Sequence, residues 1–289
     1  MQRPRLLLAL ALLFALSALA QRVQTPPPNK PPLTPVDISR LPAGTEALEV
    51  YLLMGQSNMK GRGVMPEEPL RDPRIVMMHL KTDEWFLARH PLHLVGSPVD
   101  FKGHDNAGVG PGLAFAQAIE AKLDRVRIAL VPCAVGGTPI SRWAAGQRLY
   151  DDCVRKAKLA LVQGPAGKTH IRAALWLQGE AESRSEELIA AYPAALSDLV
   201  DRLRADLALP NLPFIASTVG EMRVDAELNG KLAAVNRVLL DLPNQRNAHR
   251  LRRRPRPEVA HRRPRPLRRR RARADRPPLR RRLSRAARG

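Results

Sequence analysis

The feature that most constrains this 289-residue chain is a series of short apolar segments that alternate with longer amphipathic ones, from about residue 47 to residue 242. One such segment, Ile128-Ala129-Leu130-Val131, is apolar on both faces of a strand, which is typical of a parallel sheet covered by helices. About 200 residues are enough for one well-buried core. The pattern therefore predicts a single α/β domain, a three-layer α/β/α sandwich with a parallel sheet.

The predicted elements can be placed along the chain. Strands are predicted at residues 48–54, 74–80, 127–132, 171–177 and 213–218, and helices at residues 111–123, 149–163, 186–207 and 226–242. Right-handed crossovers between parallel strands place the functional site of such a fold at the carboxyl ends of the strands.

The amino-terminal region predicts export. Residues 1–20 are typical of a signal peptide, because Arg3 and Arg5 precede an apolar stretch and Ala18-Leu19-Ala20 is a small-x-small cleavage site. The stretch is shorter than the roughly 20 residues of a membrane helix, so no stable membrane anchor is expected, with an uncleaved anchor as the alternative. Residues 21–46 are rich in proline and predict a stiff linker. We therefore expect a secreted or periplasmic protein.

The carboxyl-terminal region, residues 245–289, has an unusual composition. It contains 20 Arg, no Lys, one Glu and one Asp, which is +18 of the formal net charge of +21. Such a tract can bind nucleic acids or anionic membranes, but no nucleic acid partner is expected for a secreted chain. Its few apolar residues form neither a helical nor an alternating stripe, so the tail is predicted to be disordered and the domain to span residues 47–244.

The cysteines and histidines of the chain indicate whether a disulfide or a metal site could form. Cys133 follows a predicted strand and Cys153 lies in a predicted helix, and both a disulfide and two separate buried thiols are compatible with these positions. The seven histidines and two cysteines form no cluster at ligand spacing. Neither a metal site nor a cofactor is therefore expected.

Four glycine-rich or polar clusters each follow a predicted strand or precede a helix. Ser57 stands directly behind the first strand, which is where ester hydrolases keep a nucleophile, and a serine needs both a base and fixed N–H donors to act as one. Each cluster alone also fits an ordinary turn, helix start or solvated loop. The clusters lie at residues 55–58, 109–112, 134–138 and 178–180.

Taken together and in this order, the clusters resemble the sialate O-acetylesterase and acetylxylan esterase family, a branch of the SGNH-type hydrolases. The strings are LMGQSNM at 53–59, GPGLAFA at 110–116, VPCAVGGT at 131–138 and WLQGE at 176–180. The resemblance covers about residues 48–242 and implies a flavodoxin-like fold and an acetylated carbohydrate substrate. Relatives commonly carry histidine at the position of Leu177, which we interpret as a subgroup feature.

The resemblance also implies roles for residues of this chain. Ser57 would be the nucleophile, and its own N–H, the N–H of Gly110 and the side-chain amide of Gln178 would form the oxyanion hole. Supporting roles would fall to Gln56, Asn58, Gly137 and Glu180.

Just after the glycine pair at 136–137, Arg142 and Trp143 fit two interpretations. They could line a sugar site, or Trp143 could simply pack against a helix. The sugar itself is not predicted, because its selection would depend on loops such as residues 65–72 and 101–109. The oligomeric state is not predicted either.

The expected catalytic base is absent from the printed sequence. The family closes its triad with an Asp-x-x-His-Phe segment near the carboxyl terminus, and no such string occurs. His261 follows Glu258 at a superficially similar spacing but has no strand before it, and the histidines at 79, 90, 93, 104 and 170 are interpreted as structural.

A frameshift would explain both the arginine tail and the missing base. With CGN, CCN and CTN codons, residues 261–268 read one base later permit T-G-D-H-V-H-F-D, and residues 249–254 permit T-A-F-V-D-A. The hypothesis places the slip between about residues 242 and 248, and predicts impaired hydrolysis in this chain. The alternative function is a non-catalytic, polybasic carbohydrate- or polyanion-binding protein.

Overall fold

A computed structural model describes residues 32–66, 72–99, 106–220 and 226–253. Its centre is a six-stranded sheet in the order β3-β2-β4-β1-β5-β6, parallel except for the antiparallel pair β2-β3. The strands are β1 (Ala47–Gly55), β2 (Ile75–Met78), β3 (Trp85–Leu87), β4 (Val126–Pro132), β5 (Thr169–Leu177) and β6 (Phe214–Ala216). In the flavodoxin order the first strand lies between the second and third, whereas here β4 lies between β1 and β2.

Helices cover both faces of the sheet. They are α1 (Ser57–Lys60), α2 (Pro111–Glu120), α3 (Arg148–Gln163), α4 (Glu186–Asp206) and α5 (Ala226–Arg253), with 3₁₀ turns at Ile140–Trp143 and Glu182–Arg184. Local sequence explains several of their ends. Pro111 stands in the first turn of α2, where its missing N–H costs nothing. Ser185 caps α4 by accepting the N–H of Leu188 at 3.3 Å.

The two faces of the sheet bury different side chains. Along β1, Val50, Leu52 and Met54 belong to the core shared with α3, α4 and α5. Tyr51 and Leu53 point the other way, into the core shared with α2. Because successive strand residues alternate between faces, a strand that is apolar throughout must be covered on both sides. The predicted three-layer α/β/α sandwich is confirmed.

Some elements differ from the prediction. The strand β3 was not predicted, because three residues are too few to show an alternating pattern. It forms a hairpin with β2, and Asp83 in the turn accepts hydrogen bonds from Arg155 and Lys156 of α3. The last helix continues to Arg253, beyond the predicted end at residue 242. Residues 1–31 and 254–289, with the predicted signal peptide and most of the arginine tail, lie outside the described residues.

A membrane-spanning helix would need both length and apolar character. None of the helices in the described ranges combines the two.

Candidate active site

The carboxyl edge of the sheet holds the predicted clusters together. The chain leaves β1 towards β2 and leaves the adjacent β5 towards β6, so the two connections run in opposite directions. Ligands of open α/β sheets bind in the crevice at such a switch point. The loops after β1, β4 and β5 all end at this edge, as the sequence predicts.

The turn that carries Ser57 depends on a glycine. Gly55 has a φ of +131°, and a Cβ at this position would overlap the carbonyl oxygen of Leu177. The turn is fixed to both neighbouring strands, because the N–H of Gln56 donates to Leu177 O at 3.0 Å and the N–H of Val135 donates to Gly55 O at 3.3 Å. Ser57 then begins α1 and is partly exposed.

Gly110 lies beside this turn because two loops pair with each other. Gly63 and Val109 exchange backbone hydrogen bonds of 2.9 and 3.0 Å. A Cβ on Gly110 would lie 2.7 Å from Met59 O, closer than any side chain could approach. Within the described residues, the N–H groups of Ser57 and Gly110 have no hydrogen-bond acceptor. Both amides are therefore free to receive a ligand oxygen.

Gln178 lies beneath the turn and has no exposed surface. Its Nε2 is 3.3 Å from Thr138 O and 3.4 Å from Gln56 Oε1, and it also donates to Glu182 Oε2. Protein oxygens therefore already surround both amide protons. As a direct oxyanion donor, Gln178 would have to release one of these acceptors, whereas a role in holding the turn needs no rearrangement.

Two carboxyl groups lie with Gln178 beneath the turn that carries Ser57. Glu180 Oε1 accepts from Asn58 Nδ2, and Glu182 Oε1 accepts the N–H of Ile140 at 2.6 Å. Burial raises the pKa of both carboxyl groups. Glu180 was predicted from the sequence and Glu182 was not, although two glutamates spaced by one residue after a Gln-Gly pair at a strand end were a visible signal.

The backbone of Gln178 is also supported from α4. Tyr192 donates its hydroxyl to Gln178 O at 2.9 Å and accepts from Trp176 Nε1 at 3.1 Å. Tyr192 is fully buried and was not predicted to belong to the site. Nothing in its local sequence sets it apart from other core residues of an amphipathic helix.

The loop after β4 forms the third wall of the crevice. A methyl group built on Gly136 would lie 3.7 Å from Ser57 Cβ and 3.4 Å from Arg62 Nη2, whereas Gly137 has open space and a φ of +72°. Arg62 was not predicted to belong to the site. Trp143 is fully buried and packs edge to face on Trp176 with ring centroids 5.2 Å apart, so packing is confirmed over sugar stacking. Arg142 is exposed.

A disulfide stands at the start of this loop. Cys133 and Cys153 are bonded, with their Cα atoms 5.4 Å apart. Of the two alternatives that the sequence leaves open, the structure has the disulfide, which joins the end of β4 to α3.

In the described part of the chain, no side chain forms a hydrogen bond with the Ser57 hydroxyl, so no base contacts this residue there. His93 is fully buried, His79 bonds to Gly96 O at 2.9 Å, and His170 lies at the amino end of β5. His104 and His261 lie outside the described residues. The ranges that the structure describes also contain no group of three or more His, Cys, Asp or Glu side chains placed to hold a metal ion.

The part of the chain that matches known proteins is close to the predicted domain of residues 47–244. The family model described as "Carbohydrate esterase, sialic acid-specific acetylesterase" matches residues 47–249. A protein of Arabidopsis thaliana described as "Probable carbohydrate esterase" is 36% identical over 185 residues, which cover 58% of this chain and 67% of the relative.

Solved structures agree with the fold. The X-ray structure of an Arabidopsis thaliana protein matches with a TM-score of 0.56 and 31% identity over 67% of this chain and 81% of the other. The crystal structure of NanS matches with a TM-score of 0.54 and 21% identity over 70% of this chain and 75% of the other.

Proposed function

The chain belongs to the carbohydrate esterase family of sialic acid-specific acetylesterases, and from this premise we propose that it is built to hydrolyse O-acetyl esters on carbohydrates with Ser57 as the nucleophile. The family match and the relatives support carbohydrate acetylesterase activity. The observation that carries the assignment of Ser57 is its position at the switch point, where neither its own N–H nor that of the nearby Gly110 has an acceptor within the described residues. A partly exposed serine beside these two amides matches the donor half of what ester hydrolysis requires, and the base is the other half.

The proposed reaction proceeds through an acyl-enzyme. A base takes the proton of Ser57 Oγ as this oxygen bonds to the acetyl carbonyl carbon, and the N–H groups of Ser57 and Gly110 donate to the oxyanion. The bond to the sugar oxygen then breaks, and that oxygen leaves with the proton. Water attacks the acetyl-serine in the same way and releases acetate. Neither step requires a metal or a cofactor.

The remaining site residues act on the turn in this proposal. Gln178, bonded to Gln56 and Thr138, holds the loops after β1 and β4 together from below. Glu180 fixes Asn58, the residue next to the nucleophile. Gly137 allows the loop after β4 to turn with a positive φ. The contacts of Gln178 and Glu180 support positioning roles, because each joins two loops of the crevice.

The chain as printed is proposed to be impaired, because the segment that should supply the histidine and the aspartate is read out of frame. Loss of a triad member typically lowers the rate by factors of about 10⁴ or more. The nucleotide sequence tests the frameshift directly. If the wobble bases across residues 263–267 do not spell Asp-x-x-His-Phe one base later, the hypothesis fails.

Enzyme assays test the function. We expect p-nitrophenyl acetate hydrolysis from a frame-restored chain and almost none from the printed chain. Ser57→Ala in the restored chain should abolish turnover, whereas Ser141→Ala, an exposed serine beyond the glycine pair, should retain it. An inactive restored chain that folds would contradict the proposal.

The alternative function has an observation in its favour, the charge of +18 in residues 245–289. Salt-sensitive heparin binding that depends on this tail, with no activity gained on restoration, would favour a polyanion-binding protein.

Export to an oxidising compartment remains part of the proposal. The disulfide between Cys133 and Cys153 supports it, because such bonds are rare in cytosolic proteins. Mass spectrometry of the mature protein would test cleavage near residue 20.

A further inference from the structure

Arg62 has a backbone that is held in place on both sides. Gly61 O accepts the N–H of Gly108 at 3.0 Å, and Gly63 exchanges two hydrogen bonds with Val109. The residue therefore stands in a short two-stranded pairing between the loop after α1 and the segment before α2. Its Cα position is fixed relative to Gly110, the residue immediately before α2.

The Arg62 side chain crosses the crevice towards the loop after β4. Its Nη2 lies 3.4 Å from the point that a methyl group on Gly136 would occupy, and that same point is 3.7 Å from Ser57 Cβ. The guanidinium thus borders the space directly in front of the proposed nucleophile. The side chain is exposed, and no acceptor for it occurs among the residues that the structure describes.

The carboxyl groups of the site do not neutralise this charge. Glu180 is bonded to Asn58, and Glu182 is bonded to Gln178 and to the N–H of Ile140. The arginine therefore presents its donors to whatever enters the crevice. Guanidinium is planar and binds a carboxylate through two parallel hydrogen bonds, and because both partners are charged these bonds are about twice as strong as hydrogen bonds between neutral groups.

We propose that Arg62 is a specificity-determining residue that selects acetyl esters on sugars bearing a carboxylate over esters on neutral sugars. This assignment rests on the proposed function, because Ser57 defines where the ester lies. The acetyl carbonyl faces the amides of Ser57 and Gly110, and the carboxylate of the same sugar ring faces Arg62.

Binding measurements on the full chain test the assignment without requiring turnover. The probes are O-acetyl-galacturonic acid and O-acetyl-N-acetylneuraminic acid, each compared with its own methyl ester, which differs only in charge. In wild type we expect at least one acid to bind more tightly than its ester. Arg62→Gln should weaken binding of that acid about tenfold and change binding of the ester less than twofold. Arg62→Lys should fall between, since it keeps the charge but not the planar fork.

A matched control separates this effect from the general basicity of the chain. Arg125→Gln removes the same charge at the opposite edge of the sheet, where Arg125 pairs with Glu46 at 2.6 Å, and should leave both probes unaffected. The arginine tail is present in every variant and cancels in the comparison.

The assignment is overturned if wild type prefers neither acid, or if Arg62→Gln weakens acid and ester equally. These failures differ from failure of the proposed function. A frame-restored chain that hydrolyses p-nitrophenyl acetate through Ser57 but shows no carboxylate preference would leave the esterase function intact and remove only the role of Arg62.

Discussion

Gly136 and Gly137 are adjacent in the loop after β4, yet the structure gives them different surroundings. The added methyl group on Gly136 would stand in front of Ser57 at ordinary van der Waals distance, whereas the one on Gly137 would meet nothing within 4 Å. Only Gly137 has a positive φ. In the proposed reaction, Gly136 therefore leaves room for the substrate, whereas Gly137 allows the loop to turn.

This difference predicts opposite outcomes for two alanine variants of the frame-restored chain. Gly136→Ala should keep its melting temperature but lose about 100-fold in kcat/KM on acetyl esters, because the methyl group displaces the substrate from the nucleophile. Gly137→Ala should lose about 1 kcal/mol of stability, since alanine is strained at this φ, and keep most of its activity. Full activity in Gly136→Ala would contradict the position assigned to the ester.

At the scale of elements, the site is held by connections between strands and helices. The disulfide joins the end of β4 to α3. The loop that follows β4 begins at the next residue, and the N–H of its Val135 donates to Gly55 O, in the turn that carries Ser57. On the other side, Tyr192 of α4 bonds to the carbonyl of Gln178 after β5. Two helices thereby fix the two loops on either side of β1.

The disulfide should therefore contribute to both global and local stability. Its cysteines are 20 positions apart in the sequence, and replacing both by alanine should cost about 3 kcal/mol in urea unfolding. Hydrogen exchange under native conditions should also accelerate in residues 134–138, while the segment of β5 keeps its protection. Uniform acceleration across the sheet would indicate that the disulfide has no special effect on the loop.

At the scale of the whole molecule, one buried histidine links folding to pH. Burial lowers the pKa of His93 to about 3, so the folded protein keeps this imidazole neutral. The unfolded chain binds a proton near pH 6.5, and stability is therefore lost as the pH falls from 6.5 towards 3. His93 packs near Leu53 and Lys60, which flank the nucleophile turn.

Urea unfolding between pH 6 and pH 4 should show this dependence. Relative to His93→Gln, wild type should lose about 1.4 kcal/mol of unfolding free energy per pH unit across this window. The slope is compared rather than the absolute stability, because the substitution in the core is itself destabilising. His93→Leu should show the same slope as His93→Gln, and a wild-type slope equal to both would contradict the prediction.

Hydrophobic patterning is enough to predict the three-layer fold, because strand segments that are apolar on both faces, such as residues 128–131, require helices on both sides of the sheet. It also determined which loops form the candidate site, since the carboxyl ends of parallel strands share one edge. The position of Ser57 follows from this reasoning, whereas the role of Gly110 is implied by the family resemblance.

Contacts between distant segments could be seen only in the folded structure. It joined Cys133 to Cys153, buried Trp143 against Trp176 and brought Arg62 to the loop of Gly136. It also enclosed the side chain of Gln178 among protein oxygens, although the family motif predicts a donor to the substrate. Hydrophobic periodicity and the order of the motifs indicate which face or edge of the sheet a residue occupies. Side-chain pairing depends on how the elements pack against each other, and no local sequence pattern specifies this packing.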